Sequence, residues 1–312
     1  MRDRAVNVLL ICFAAALSST ATAQEDEVLR TIQLDDVVIH AQDTGFNVEG
    51  FVHHVMEDTT FHKAFLNTRF HPHHLRSVLR VRAKHEKETA SIFRTGDLVR
   101  NSDKVHLELD TVHETGKLRD KKGKFRYLTA EMYDDVFFPK GELPADNIVA
   151  NRALEIARGG RIDKYKSELK KFMFDPGTEI ASVPFIGDKL DLFSPEMTPL
   201  YDFKISSDVR NGHACWVFSA SAKPEFRGGR TVIKTMDTWF AQEGGEVLSR
   251  RYRIAHSSIV LDFDISIRVE NQLINGELVP RTVDYDGDWD IPLKQRELVR
   301  FVLEYSDWRV VK

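Results

Sequence analysis

Cysteine is scarce in this chain of 312 residues, which has two copies, Cys12 and Cys215. Cys12 lies inside an apolar run, Ala5–Leu17, whereas a lipid-attachment cysteine follows a small residue at the end of such a run. The pattern therefore does not indicate a lipoprotein. If that run is removed by export, Cys215 has no partner for an internal disulfide. Without a disulfide, burial of apolar side chains must stabilise the fold. The apolar stretch around Cys215 favours a buried, inert thiol.

The chain also lacks an excess of basic residues, and its formal net charge is −4 at pH 7. A nucleic-acid-binding protein would show a concentrated basic face, so nucleic acid is excluded as a partner. After residue 17 no apolar stretch approaches the roughly 20 residues that cross a bilayer as a helix. We therefore predict no transmembrane helix in the mature chain.

Motifs of several enzyme classes are missing as well. There is no Gly-x-Ser-x-Gly around a serine nucleophile. There is no His-Glu-x-x-His and no glycine-rich loop that would cradle a phosphate. Cys215 lies in an apolar run, which favours a high thiol pKa rather than reactivity. The sequence therefore predicts a protein that is not an enzyme and needs no cofactor, with a hydrolase of unrecognised site as one alternative.

An export signal is present at the start. Met1–Arg4 is charged, the apolar run follows, and Ala21-Thr22-Ala23 gives the Ala-x-Ala cleavage pattern of a signal peptide. The run is too short for a permanent membrane helix, although a short N-terminal anchor is the alternative. We expect residues 1–23 to be removed and the mature chain to begin at Gln24. The protein would then lie in the periplasm, at the outer membrane or on the cell surface.

The rest of the chain changes period along its length. Residues 24–45 form a polar lead-in, and residues 46–312 are predicted to form a single domain. Apolar residues at near-helical spacing predict a helix over residues 46–67. Alternating residues then predict half-buried strands from residue 75 onwards. Residues 131–199 interrupt the alternation as a helical and loop insertion, with predicted helices over 147–157 and 162–174 and a loop rich in proline and glycine over 175–199.

From residue 200 the alternation returns and holds to the end of the sequence. Turn residues such as Asn211-Gly212, Asn275-Gly276 and Asp286-Gly287 separate the runs. No helix interrupts them, so the sheet is antiparallel rather than a parallel βαβ sheet. The predicted fold class is α+β, a curved antiparallel β-sheet (half-barrel) covering the N-terminal and inserted helices. The runs are Tyr201–Ser206, Ala214–Ala220, Thr231–Phe240, Val247–Ile254, Ile259–Val269, Glu277–Tyr285 and Leu298–Tyr305.

Three short stretches, Asn211–Phe218, Lys223–Phe226 and Thr235–Ala241, resemble the outer-membrane lipoprotein-sorting proteins (LolA/LolB-like). The order of a helix, several strands, a helical insertion and a long meander is similar to their half-barrel. Other stretches are similar to secreted relatives of the Bacteroidota. The resemblance covers residues 46–308, and it implies a curved sheet whose concave apolar face holds acyl chains beneath helices. It implies lipid or lipoprotein handling and carries over no catalytic residue.

Histidine is concentrated near the start of this domain, where eight of the 12 histidines lie between residues 40 and 85. The densest group is His71-Pro72-His73-His74. Neutral imidazole is a common metal ligand, but His73 and His74 would point to opposite faces of an extended chain. We therefore predict solvated or pH-responsive histidines and no metal site.

A second polar group alternates along the last third of the chain. Its carboxylates lack the twelve-residue calcium pattern that ends in glutamate. They are predicted to form an acidic hairpin turn rather than a calcium site. The group consists of Asp284, Asp286, Asp288 and Asp290.

Together these features predict a secreted, non-enzymatic envelope protein that binds a lipid or another apolar ligand in its half-barrel. The main alternative is a protein whose ligand is another protein, such as an outer-membrane assembly factor. In an open cavity, replacing Leu261 by Glu should abolish acyl-chain binding at little cost in stability. In a solid core it should destabilise by several kcal/mol. The residues expected to contact the ligand are Trp216, Phe218, Trp239, Ile259, Leu261 and Phe263.

Overall fold

A computed structural model of the chain describes residue 28 and residues 32–34, 46–83, 87–149, 189–258, 262–290 and 296–311. Twelve strands in these residues form one open sheet. The strands are β1 (Ile32–Leu34), β2 (His73–Arg82), β3 (Glu88–Asn101), β4 (Lys104–Gly116), β5 (Leu143–Pro144), β6 (Tyr201–Arg210), β7 (His213–Ala222), β8 (Ile233–Ala241), β9 (Val247–Ser257), β10 (Asp262–Ile274), β11 (Glu277–Asp290) and β12 (Glu297–Ser306). Their spatial order is β1-β6-β7-β8-β9-β10-β11-β12-β2-β3-β4-β5. The β1–β6 pair is parallel.

The two ends of the domain meet in the middle of this sheet. β12 pairs with β2 in antiparallel register, with Phe301 opposite Leu79 and Leu303 opposite Ser77. This pairing joins the strands that precede the insertion to the meander that follows it. The predicted curved antiparallel half-barrel of the α+β class is confirmed.

One face of the sheet is apolar and is called the inner face here. On β12 the alternate residues Val299, Phe301 and Leu303 are buried, and they belong to one core with residues of the helices. The opposite, outer face carries exposed ion pairs, among them Arg80 with Glu88 at 3.2 Å. Because an exposed pair contributes only about 0–1 kcal/mol, burial of the inner face dominates the stability.

The first helical segment is two helices rather than the single predicted one. They are α1 (Val48–Glu57) and α2 (Thr60–Asn67). The chain breaks between them because Asp58 caps α2, accepting hydrogen bonds from the backbone N–H and the hydroxyl of Thr60 at 2.9 and 2.6 Å. A short polar side chain that bonds nearby backbone ends one helix and starts the next.

A third helix, α3 (Leu128–Phe137), begins just before the predicted insertion and packs on the inner face. The predicted helix over 162–174 lies outside the described residues, as does nearly all of the one over 147–157. The described residues also include two short 3-10 helices, Thr198–Leu200 and Pro224–Phe226. In the part of the chain that the structure describes, no helix is both long and apolar enough to cross a membrane.

The prediction of an acidic hairpin turn at Asp286-Gly287 is wrong, since both residues lie inside β11. In the strand, the missing side chain of Gly287 leaves space for Tyr285. A Cβ at this position would lie 2.2 Å from the hydroxyl of Tyr285, which accepts a hydrogen bond from the indole N–H of Trp289 at 2.6 Å. The glycine therefore makes room for a buried side-chain pair and does not turn the chain. The other two predicted Asn-Gly turns are present, with positive φ at Asn211 and Asn275.

β4 is the last long strand on one side of the sheet, where the two-residue strand β5 follows it. In the described residues β5 pairs with it only at Lys104 and Val105. Residues 106–116 of β4, called the free edge below, pair with β3 alone. From residue 108 onwards they are exposed on both faces, which explains why they show no alternating pattern.

Candidate ligand-binding site

Four aromatic side chains meet where α1 lies over the strands β7 and β8, and we call them the aromatic cluster. The rings of Phe46 and Trp216 are 4.3 Å apart between centroids, and those of Phe46 and Phe51 are 5.7 Å apart. Phe51 meets Phe240 edge-on at 5.5 Å. Phe240 is buried, while the other three are only partly buried and pack against the core. The cluster is therefore an apolar surface that solvent still reaches.

Strand register explains why these rings meet. Trp216 of β7 lies directly opposite Phe240 of β8, so both point to the inner face. Side chains two apart on a strand share a face, which places Phe218 and Ala220 on the inner face with Trp216. Phe51 projects from α1 onto this surface, beside the buried residue Val52.

The six residues predicted to contact a ligand do not form one surface. Trp216 belongs to the aromatic cluster, whereas Phe218 and Phe263 are almost fully buried in the core, at 0% and 2% exposure. Trp239 faces the other way, because it lies opposite Val217 rather than Trp216. Ile259 and Leu261 lie outside the described residues. The structure thus brings one predicted residue, Trp216, together with Phe46, Phe51 and Phe240.

Trp239 is buried in a second apolar cluster, which includes Cys215 and Val217, and it also makes polar contacts. Its indole N–H donates to Asp208 at 2.7 Å, and the guanidinium of Arg210 lies 4.2 Å above its ring. That hydrogen bond is the main reason why the pKa of Asp208 is lowered. These contacts already occupy the indole, so they place Trp239 in a structural role.

Buried charges attach α2 to the inner face. The guanidinium of Arg250 lies 3.7 Å from the carboxylate of Asp58, and their side chains are 8% and 2% exposed. Arg250 also lies 4.1 Å above the ring of Phe61 on α2. The hydroxyl of Thr60 accepts the backbone N–H of Val247 at 3.0 Å. Breaking a buried pair of this kind leaves an uncompensated charge, so α2 is firmly held.

α3 is attached in a similar way. The carboxylate of Glu297 on β12 accepts the backbone N–H groups of Leu128 and Thr129, at 2.7 and 2.9 Å, and the hydroxyl of Thr129 at 2.9 Å. It satisfies donors at the positive end of the helix dipole. Further along, Arg94 of β3 contacts Asp134 of α3 at 2.7 Å in a buried ion pair. Sequence reasoning missed Glu297 and Arg94, because no local pattern links either to a helix so far away in the chain.

α1 has a lighter attachment. The imidazole of His54, a residue of α1, donates a hydrogen bond from Nε2 to the carbonyl oxygen of Gly245 at 2.8 Å. Of its ten residues, Val52 and Val55 are buried. By contrast, buried ion pairs hold α2 and α3: Arg250 with Asp58 at the start of α2, and Arg94 with Asp134 on α3. Of the three helices, α1 would therefore cost least to lift from the sheet.

One small cavity lies on the inner face among the described residues. A cavity between α2, α3 and the β2–β4 end of the sheet, lined by His73, Val136 and Tyr305 among others, has a volume of about 20 Å³. That is room for about one water molecule, whereas ligand pockets measure roughly 300–1,000 Å³. This cavity is therefore too small to hold an acyl chain.

The histidine group divides between the two faces of the sheet, as predicted for His73 and His74. His73 is buried, stacks 4.2 Å from Trp308 and donates from Nδ1 to the carbonyl of His71. Burial lowers the pKa of His73 to about 4. His71 accepts the backbone N–H of Val311 at 3.1 Å. The two inner histidines thus hold the C-terminal segment. The prediction that the histidines are solvated is wrong for these two, because both are buried.

Comparison with known proteins gives a limited result. No family model matches the chain, and no curated protein matches it. Among solved structures, the chain is similar to a DUF1329 family protein from Desulfovibrio piger, with 10% identity, coverage of 83% of this chain and 91% of that one, and a TM-score of 0.24. It is also similar to an outer membrane lipoprotein-sorting protein domain from Vibrio parahaemolyticus, with 10% identity, coverage of 84% and 93%, and a TM-score of 0.30. The second description is that of the family which the sequence resembles.

Proposed function

We propose that this protein is exported and, without catalysing a reaction, holds the acyl chain of a lipid or of a lipid-modified protein on the inner face, beneath α1. The observation that carries the proposal is the aromatic cluster: Phe46, Phe51 and Trp216 are apolar, partly exposed and lie at the edge of a large buried apolar surface. The Ala21-Thr22-Ala23 pattern supports export, since these residues end a signal peptide motif.

Binding proceeds by exchange of one apolar cover for another. When α1 lifts, Phe51 leaves Phe240 and exposes the inner face of β7 and β8. An acyl chain laid along this surface restores the lost burial, at roughly 25 cal/mol per Å² of apolar area. Because α2 and α3 remain attached by buried charges, the rest of the core stays intact during the exchange.

The test uses the chain from Gln24 and displacement of a fluorescent fatty acid by palmitate. Phe51→Ala weakens the cover, and the apparent affinity rises because a larger fraction of molecules is competent to bind. Trp216→Ala removes part of the surface that the ligand contacts, so affinity falls.

Phe125→Ala is the matched control. Phe125 is also a partly buried phenylalanine packed against the core, but it is stacked with Arg119 in the turn that precedes α3. It should leave affinity unchanged. Absence of probe binding in both the wild type and Phe51→Ala would refute the proposal.

A second candidate function rests on a separate observation, the free edge. Its backbone N–H and C=O groups on one side pair with no described strand, and such an edge can accept an added strand from a partner protein. If acyl probes fail to bind, loss of a co-purifying envelope protein on Thr111→Pro would favour this function, since proline removes a backbone donor.

A further inference from the structure

A histidine and two aspartates converge on the outer face, at the end of the sheet that carries the free edge. His74 of β2 lies directly opposite Asp97 of β3, and its Nδ1 is 3.1 Å from the Asp97 carboxylate. With Asp110 of β4 these side chains place one nitrogen and two carboxylate oxygens within 4.8 Å of one another. Sequence patterns do not predict this set, because the three residues come from three different strands.

A β-bulge brings Asp110 into the group. Thr95 pairs with Thr111 and Gly96 pairs with Leu109, so Asp110 is an extra residue on β4. Bulges turn a side chain away from the direction that regular pairing would give it. Here the Asp110 carboxylate accepts the hydroxyl of Thr95 at 3.1 Å, on the same face as Asp97.

Gly96 makes this close approach of β4 possible. A Cβ at Gly96 would lie 2.2 Å from the carbonyl oxygen of Glu108 and 2.9 Å from the Cα of Leu109. Both atoms are backbone and cannot move aside. The bulge that delivers Asp110 therefore depends on a glycine opposite it.

Some aspartates of the outer face are already paired with an arginine. Asp237, Asp264 and Asp288 each form an ion pair with an arginine. Within the described ranges, no lysine or arginine forms an ion pair with Asp97 or Asp110. Two carboxylates, with an imidazole beside them, are thus left without a cation.

We propose that His74, Asp97 and Asp110 bind a zinc ion. One imidazole nitrogen and two carboxylate oxygens suit zinc, which takes such ligands at about 2.0–2.2 Å, and two ligands then lie at most about 4.4 Å apart. The three atoms lie within 4.8 Å of one another, so zinc binding requires them to move closer together. With the ring hydrogen on Nε2, Nδ1 of His74 is free to coordinate the metal, and water completes the tetrahedron.

The ion would fasten three strands at the side of the sheet where pairing ends. This inference is independent of the acyl-chain proposal, because the zinc site lies on the outer face and the aromatic cluster lies on the inner face. Either can fail without the other.

The test is a zinc titration of the chelator-treated chain, without an affinity tag, in competition with a chromophoric chelator. We expect one zinc per chain. Asp110→Asn removes one ligand at an exposed position and should weaken binding by at least about tenfold. His74→Ala should have the same effect.

Asp264→Asn is the matched control, since Asp264 is an outer-face aspartate that Arg253 already occupies, and it should bind zinc as the wild type does. All variants keep the exposed pairs His53–Glu57 and His106–Glu108, so zinc bound there would survive every substitution. Unchanged affinity in Asp110→Asn, or no binding by the wild type, would overturn the site.

Discussion

At the scale of single residues, a few buried polar side chains decide where the helices lie on the sheet. Glu297 is the clearest case, because one carboxylate satisfies three donors at the start of α3. It is 5% exposed, so water cannot replace it when it is removed. The strand β12 thereby determines the position of a helix that lies far from it in the chain.

Replacing Glu297 by Ala should therefore lower the free energy of unfolding by about 3 kcal/mol, because buried donors lose their charged acceptor. Glu297→Gln keeps one acceptor oxygen and should cost less. The measurement is urea unfolding followed by circular dichroism. Glu304→Ala, an exposed glutamate of the same strand that pairs with Arg76, should cost at most about 1 kcal/mol. Equal losses at the two positions would contradict the capping role.

His73 makes stability depend on pH. Its pKa is lowered from 6.5 to about 4, chiefly by burial, so the native state holds it neutral while the unfolded state takes up a proton first. Stability from this group is complete above pH 6.5 and is lost as the pH falls towards 4, by up to about 3 kcal/mol. His73→Phe retains the ring between Tyr305 and Trp308 and removes the titration. Its unfolding free energy should vary less with pH between 6.5 and 4, and a slope equal to that of the wild type would disprove the assignment.

The fate of the predicted ligand residues shows what sequence can say at this scale. Alternation correctly groups Trp216 with Phe218, since residues two apart share a face. It cannot choose between Trp239 and Phe240, which are adjacent, so that one must face inwards and the other outwards. The choice depends on the cross-strand partner, because Phe240 lies opposite Trp216. Strand register is a long-range property that one strand's pattern does not contain.

At the scale of elements, strands were predicted better than helices. All seven runs after residue 200 correspond to strands β6–β12, because one buried face imposes a period of two. α3 went unpredicted because eight of its ten residues are buried, which removes the polar face that makes a helix recognisable. The predicted helix over 46–67 is divided by the cap at Asp58, a local hydrogen-bonding choice that apolar spacing does not reveal.

The bulge between β3 and β4 gives an element-scale prediction. Gly96→Ala places a Cβ against the backbone of Glu108, so β4 must move away. We expect a loss of about 1–3 kcal/mol, typical of overpacking, measured by thermal and urea unfolding. Gly228→Ala is the control, because a Cβ there meets no atom within 4 Å. A Gly96→Ala variant as stable as Gly228→Ala would show that the two strands can separate freely.

At the scale of the whole molecule, protection should follow the order of strands in the sheet. β10, β11, β12 and β2 each have a strand on both sides, and they carry much of the buried core. Among the described residues the free edge has one neighbouring strand, β3, and from residue 108 onwards it is exposed on both faces. The sheet is therefore expected to be stable at its centre and to open locally at β4.

Amide hydrogen exchange measures this directly. Amides of β11 and β12 should exchange only by global unfolding, whereas those from Glu108 to Gly116 should exchange by local opening. Added zinc should slow exchange in β4 if the metal fastens it to β2 and β3. Uniform exchange rates across the sheet would contradict the expected gradient.

The pairing of β12 with β2 also has a consequence for the time at which this protein can fold. The central strand pair joins Leu75 to Tyr305, a separation of more than two hundred residues. Contacts so distant in sequence form late and slowly, because the intervening chain must first be ordered. A nascent chain that has not yet reached Ser306 cannot complete the middle of its sheet. The order of synthesis therefore delays compaction of the sheet until the last strand, β12, has been made.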